Sequence, residues 1–162
     1  MLLLASRVIE PNRGHAAGRE LLAELYRTHT GRDMPPVLIA ERGKPYFDGE
    51  DLHFSISHTK GHVFVALSNQ PLGIDAEEMD RKVNLRLAEK ILSPMERIRF
   101  DAADDKRAAL LKLWVLKEAR VKYTGTGLQG YPTQTDFSPD DPRVFIKDGC
   151  YVAVIEEEIY AV

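Results

Sequence analysis

Residues 53–77 decide the fold. They read His53-Phe54-Ser55-Ile56-Ser57-His58-Thr59, then Gly61-His62-Val63-Phe64-Val65-Ala66-Leu67, then Ser68-Asn69-Gln70-Pro71, and then Leu72-Gly73-Ile74-Asp75-Ala76-Glu77. From His53 to Ser57 the pattern alternates strictly, with Phe54 and Ile56 on one face and Ser55 and Ser57 on the other, which is the period of a half-buried strand. Val63 to Leu67 is an unbroken apolar run, the signature of a strand covered on both faces. A Ser-Asn-Gln-Pro turn leads into a third strand from Leu72 to Glu77. Three strands on short turns predict an antiparallel meander.

Around this block, Leu2 to Ile9 reads as a further strand, closed by Pro11-Asn12. From Ala16 to about His29 the spacing of Leu21, Leu22, Leu25 and Tyr26 predicts a helix with one apolar face, ended by Gly31 and Pro35-Pro36. Val37 to Ala40 is a short strand. After Glu77 the chain turns helical. Leu85 to Leu92 forms one short helix, and Ser93-Pro94-Met95-Glu96 starts another, with a serine cap and proline in the first turn. Asp104 to Tyr123 is the longest helix, apolar nearly all round from Ala108 to Ala119 and therefore internal. Gly125 and Gly127 end it. Strands follow near Val144-Phe145-Ile146 and from Tyr151 to Ile155, with a last one ending at Val162. The fold class is α+β.

The chain has 162 residues, enough for one domain or two small packed halves. Its hydrophobic share of 44% supports a core, and its net charge of −3 lacks the concentrated basic surface that nucleic acid requires. The apolar start Met1-Leu2-Leu3-Leu4 is too short to cross a bilayer and lacks the basic onset of a secretion signal, so no membrane association is expected. Cys150 is the sole cysteine, which rules out an intramolecular disulfide and suits a reducing compartment. The cytoplasm is the expected address.

Asp75 and Glu77 lie two apart in a strand, so both carboxylates leave one face while Ile74 and Ala76 point to a core. Adjacent carboxylates repel unless a cation or proton intervenes, and a hard divalent ion such as magnesium suits them. The spacing alone fits two solvated acids equally well. On the long helix, Lys117 and Glu118 interrupt almost continuous apolar sequence, and Trp114, Glu118 and Lys122 share one face at four-residue steps. One reading is an internal Glu118–Lys122 pair. The other joins Asp75, Glu77 and Glu118 as metal ligands with Lys122 as a cation for phosphate, a phosphoryl-transfer centre. His58 at a strand end and the turn Gly43-Lys44-Pro45 carry no specific signal singly.

In order, they do. Arg42-Gly43-Lys44-Pro45-Tyr46, Phe54-Ser55-Ile56-Ser57-His58-Thr59, Gly73-Ile74-Asp75-Ala76-Glu77, Trp114-Val115-Leu116-Lys117-Glu118-Ala119, and Lys122 with Gly125-Thr126-Gly127-Leu128 together resemble the Sfp-type 4'-phosphopantetheinyl transferases, over roughly residues 13–137. The position of the aspartate motif after Ser57-His58 favours that type over the smaller holo-acyl-carrier-protein synthases. The resemblance implies two similar halves, each with an antiparallel sheet and a packed helix. Here it divides the chain near residues 1–70, the nucleotide side, and 71–162, the metal side, in a shortened member whose first half is trimmed. It implies transfer of phosphopantetheine from coenzyme A to a serine of an apo acyl or peptidyl carrier protein, with magnesium, releasing 3',5'-ADP.

By the same resemblance, Asp75, Glu77 and Glu118 hold the metal, and Lys122 contacts the phosphates. His58 binds the 3'-phosphate, with Ser57 and Thr59 close by. Gly43, Lys44 and Pro45 line the adenine pocket, and Arg19 reaches the nucleotide. The base that takes the serine proton stays open among Glu118, Asp75 and a water. The mixed basic run from Arg81 to Arg107 is a plain solvated surface on one reading; on the other, Leu87, Ile91, Met95, Ile98 and Phe100 form an apolar carrier-docking patch among the bases. Monomer and homodimer both remain open. Two other classes compete: a non-catalytic module binding coenzyme A or a carrier, and a different magnesium-dependent phosphotransferase or nucleotide hydrolase, disfavoured because the sequence lacks a phosphate-cradling glycine loop with lysine and serine or threonine.

Overall fold

The computed structural model describes residues 1–126 and 135–156. In chain order the elements are β1 (Leu2–Val8), α1 (Gly14–Thr30), β2 (Val37–Ile39), β3 (Pro45–Phe47), β4 (His53–His58), β5 (His62–Ser68), β6 (Leu72–Glu78), a 3-10 turn (Leu85–Leu87), α2 (Ala88–Ile91), α3 (Pro94–Asp101), α4 (Lys106–Thr124), β7 (Val144–Lys147) and β8 (Cys150–Glu156). The α+β class is as expected. The final strand placed at Val162 and the helix-ending Gly127 lie outside the described residues.

Two three-stranded antiparallel sheets form the frame, ordered β1-β5-β4 and β6-β8-β7, with a β2-β3 hairpin beside them. The expected meander therefore stops after two strands. β5 is flanked on one edge by β1, Leu2 facing Ser68, and on the other by β4, His53 facing Ser68, so no ladder position remains for β6. β6 instead pairs with β8 along its whole length, from Leu72 opposite Glu156 to Glu78 opposite Cys150. The helix expected over Leu85 to Leu92 is likewise split, a 3-10 turn capped by the Asn84 side chain followed by a single α turn.

Alternation sorts the β5 side chains between two cores. Val63, Val65 and Leu67 pack with Leu21, Leu22 and Tyr26 of α1, while Phe64 and Ala66 pack with Leu72, Ile74, Ala76, Val152 and Val154 of the second sheet. A third core joins α4 to β8 through Leu113, Leu116, Ala119, Ala153 and Ile155. Asp105 caps α4 by accepting from the Ala108 N–H, and Gly125 terminates it in the left-handed conformation. α4 lies directly on β6. A Cβ on Gly73 would overlap the Ala119 carbonyl oxygen and the Tyr123 nitrogen, so only glycine lets the helix backbone come this close.

Ser93 and Glu96 form a capping box at the start of α3, with Pro94 in the first turn. Glu96 does more than cap. Fully buried, its carboxylate accepts from Lys117 Nζ at 2.7 Å, from the Ser93 N–H at 2.9 Å, from the Thr135 hydroxyl at 2.7 Å and from the Phe137 N–H at 3.0 Å. Burial pushes its pKa up, but Lys117 and the other donors together outweigh that effect and hold it below the ordinary glutamate value. This network ties α3, α4 and the segment from Thr135 to Phe137 together.

Gly73→Ala lowers the unfolding free energy by about 1–3 kcal/mol or more in urea denaturation, because two backbones must separate; an unchanged midpoint contradicts the packing. Lys117→Met, which strands a buried carboxylate, costs about 3–5 kcal/mol. Since folding holds Glu96 below its unfolded pKa, its contribution is complete above about pH 4.3 and drains away as the pH falls through the folded value. Melting temperatures of the wild type and Glu96→Gln, measured from pH 7 to pH 3, converge at the acid end; a constant gap refutes that assignment.

Candidate active site

Among the described residues β4 and β6 are edge strands of different sheets and share no ladder, yet their backbones are joined by side chains. The Ser55 hydroxyl accepts from the Ile74 N–H at 3.0 Å, and the Ser57 hydroxyl accepts from the Ala76 N–H at 3.1 Å. Both serines are buried. The alternation that puts Phe54 into the α1 core thus turns Ser55 and Ser57 toward β6, where they satisfy N–H groups that a neighbouring strand would otherwise bond.

Asp75 stands at this seam, 8% exposed. Its Oδ1 accepts from the Ser57 hydroxyl at 3.2 Å and from Lys122 Nζ at 3.1 Å. Lys122, in the last turn of α4, also donates to the Ile56 carbonyl at 3.2 Å, so one ammonium bridges β4 and β6. Burial pushes the Asp75 carboxyl above its usual range, opposed by Lys122, Ser57 and the Ala76 N–H. Two residues on, Glu77 forms an ion pair with Arg81. Burial raises its pKa too, Arg81 works against the rise, and the Asp75 charge adds to it. The two carboxylates therefore feel each other across one strand face.

Glu118 is half-buried on α4, one turn before Lys122. Among the described residues, the trio of candidate ligands whose donor atoms lie within 4.8 Å of one another is His62, Glu78 and Cys150; Asp75, Glu77 and Glu118 are not gathered to that degree. Lys122 and Arg81 sit where a cation would be useful, each on one of the β6 acids. Asp75 and Glu77, two carboxylates on one strand face, are nonetheless the donor chemistry of a hard divalent ion.

The remaining sequence-predicted residues converge on the same cleft. A cavity of about 430 Å³ is lined by Arg19, Gly43, Pro45, Ser57, His58, Asp75 and Lys122. It adjoins a more apolar cavity of about 260 Å³, lined by Arg42, Gly43, Lys44, Pro45, Phe54 and Val121 among others. On its other side, His58 and Thr59 share a wide cleft with Glu77, Glu78 and Arg81. α1 can approach the His58 ring because residue 14 is glycine, where any Cβ would run into the imidazole. Lys44 is held inward, donating to the Tyr123 carbonyl at 2.8 Å and to the Leu72 carbonyl at 3.4 Å, with burial lowering its pKa. It ties the hairpin turn to the end of α4, next to the cavity it lines.

Sequence reasoning missed Arg81 as the partner of Glu77, although the four-residue spacing Glu77 to Arg81 was there to read. It also missed Glu78, His62 and Cys150, which lie far apart in the chain and meet only through strand register. The apolar patch expected between Leu87 and Phe100 needs correction: Ile91 and Phe100 are core residues, and only Met95 at 44% and Ile98 at 61% are well exposed. Arg99 there is structural, donating to the Asp136 and Phe137 carbonyls. Among the described residues, no helix is long and apolar enough to cross a membrane.

Comparison with known proteins bears on this cleft. Residues 71–149, which contain Asp75, Glu77, Glu118 and Lys122, match the model of the 4'-phosphopantetheinyl transferase superfamily. The chain is 34% identical over 114 residues to the 4'-phosphopantetheinyl transferase AcpT of Escherichia coli K12, covering 67% of this chain and 56% of that one. It is 36% identical over 91 residues to the 4'-phosphopantetheinyl transferase Sfp of Bacillus subtilis strain 168, covering 54% and 40%. With the transferase gsp of Aneurinibacillus migulanus it shares 36% over 90 residues, covering 54% and 37%. The chain spans about half the length, or less, of these relatives. Over residues 71–149, the stretch that supplies Asp75 and Lys122 to the cleft, the chain is similar to the 4'-phosphopantetheinyl transferase superfamily.

Proposed function

We propose that this chain transfers the 4'-phosphopantetheine group of coenzyme A to a serine hydroxyl of an apo acyl or peptidyl carrier protein, with magnesium. The observation that carries the reading is the Asp75–Ser57–Lys122 junction opening into a cleft that also holds Arg19 and His58. In the transfer, the serine oxygen forms a bond to the pantetheine-bearing phosphorus, the bridging P–O bond breaks, and 3',5'-ADP leaves with the electron pair. Such a reaction needs alignment and charge stabilisation more than covalent help.

Each residue has a part on this reading. Lys122 offers its ammonium to the phosphates and the departing ADP. His58 and Arg19, with Ser57 and Thr59 beside them, receive the 3'-phosphate end, and the cavity at Gly43, Lys44 and Pro45 takes the adenine. Asp75, Glu77 and Glu118 would hold the magnesium, with Glu77 exchanging Arg81 for the ion. When bound, magnesium would neutralise charge developing on the pyrophosphate oxygens. The serine proton goes to Glu118, to Asp75 or to a water held by them. The β1-β5-β4 sheet with α1, and the β6-β8-β7 sheet with α4, are read as counterpart halves meeting near residues 70 and 71. A cytoplasmic setting suits both substrates.

Carrier docking is assigned to the exposed face of α3, where Met95 and Ile98 flank Arg97. Ile98→Asp is expected to raise the apparent KM for carrier roughly tenfold, about 1–2 kcal/mol, with the KM for coenzyme A unchanged. An equal rise in both removes α3 from docking.

The transfer itself is tested by incubating the chain with a panel of apo carriers, coenzyme A and magnesium, and weighing the carriers. One added phosphopantetheine supports the enzyme; binding of coenzyme A without that gain points to a non-catalytic module. Asp75→Asn and Lys122→Met each lower turnover by roughly 100-fold or more while the circular dichroism spectrum persists. A variant that keeps near-normal turnover takes that residue out of the centre.

A further inference from the structure

The inner faces of β5, β6 and β8 form three apolar rows that share one core: Phe64 and Ala66, Leu72 to Ala76 in alternation, and Val152 with Val154. Each row ends, at the same end of the molecule, in a side chain able to ligate a metal. These are His62 on β5, Glu78 on β6 and Cys150 on β8. Glu78 and Cys150 face each other directly in the β6–β8 register, whereas His62 comes from the other sheet.

We propose that His62, Glu78 and Cys150 form a zinc site that clasps the two sheets together. It is separate from the carboxylates assigned to magnesium and does not depend on the transferase reading.

The geometry suits zinc closely. His62 Nδ1 lies 3.0 Å from Glu78 Oε1, Cys150 Sγ lies 3.4 Å from Glu78 Oε2, and Cys150 Sγ lies 3.7 Å from His62 Nδ1. Ligands around a tetrahedral zinc, with bonds of about 2.0–2.3 Å, stand about 3.3–3.6 Å apart. The two Glu78 distances are to its two oxygens; with one ligand atom per residue the three lie within 4.8 Å of one another, and turning the Glu78 carboxylate so that one oxygen serves both neighbours admits the ion. The mixture of thiolate, imidazole and carboxylate selects zinc over magnesium or calcium, which require oxygen.

The surroundings orient the ligands as outer-shell groups do. Glu78 Oε1 accepts from the Thr59 hydroxyl at 2.6 Å and from the Gly61 N–H at 3.3 Å. Cys150 is fully buried, while His62 and Glu78 are partly exposed, and Glu78 and Thr59 open onto the wide cleft beside His58. That cleft gives the ion its entry and a water for the fourth position. As the zinc–sulfur bond forms, the thiol proton leaves to solvent, and nothing is oxidised or reduced. The clasp would fix the end of β6 that carries Glu77.

The chain holds one cysteine, so a thiolate-to-metal absorption band reports Cys150 alone. The intact chain, stripped with chelator, is titrated with cobalt(II) and then with zinc. Expected are a saturable charge-transfer band at one equivalent, its displacement by zinc, and a melting temperature several degrees higher with zinc. Cys150→Ser abolishes the band and the thermal shift, and Glu78→Gln and His62→Asn each weaken cobalt binding roughly tenfold or more. The proposal is overturned if the folded wild type gives no band in excess cobalt. It is equally overturned if the band persists with unchanged affinity in both Glu78→Gln and His62→Asn, since the cysteine then binds without its neighbours.

Discussion

Two serine hydroxyls hold together sheet edges that share no ladder. β4 and β6 each present an edge to the other, and Ser55 and Ser57 bridge them by accepting from Ile74 and Ala76. Without such acceptors the β6 N–H groups would be buried and unpaired, a loss of about 1–3 kcal/mol each. Everything in the cleft depends on this seam. It sets Asp75 against Ser57, and Gly73 lets α4 lie close enough for Lys122 to reach both strands.

The seam also concentrates charge where water is scarce. Asp75 and Glu77 are both pushed toward protonation by burial, and each is answered by a protein cation, Lys122 and Arg81. Carboxylates held at such a cost to folding are what the proposed function asks for, a face that exchanges protein cations for a metal ion and a pyrophosphate. Glu96 and Lys117 are a contrasting case. Their side chains are fully buried, but four donors satisfy the carboxylate, so that pair serves architecture.

Local pattern explains what was legible in the sequence. Alternation placed β4 and gave the serines a face of their own; an apolar run placed β5; the cap at Ser93 and the glycine at 125 bounded helices within a residue or so. The motif residues Arg19, Gly43, Pro45, Ser57, His58, Asp75 and Lys122 do line one cavity. What stayed hidden depends on distant pairing. β1 takes the β5 edge from far along the chain, pairing Val8 with His62 and Leu2 with Ser68, which displaces β6 into the second sheet, and no local signal announces it. The same holds for Lys117, whose isolation in an apolar run was visible but whose partner Glu96 lies on another helix. His62, Glu78 and Cys150 meet through the same long-range register.

The central claim is that the β4–β6 seam is where a pyrophosphate is held. A crystal structure of the chain with coenzyme A and magnesium addresses it most directly. The account predicts the pyrophosphate between Lys122 and the Asp75–Glu77 face, the 3'-phosphate at His58 and Arg19, and the adenine in the cavity beside Gly43 and Pro45. Coenzyme A bound with its phosphates away from Lys122 and Asp75, leaving the seam untouched, would contradict it.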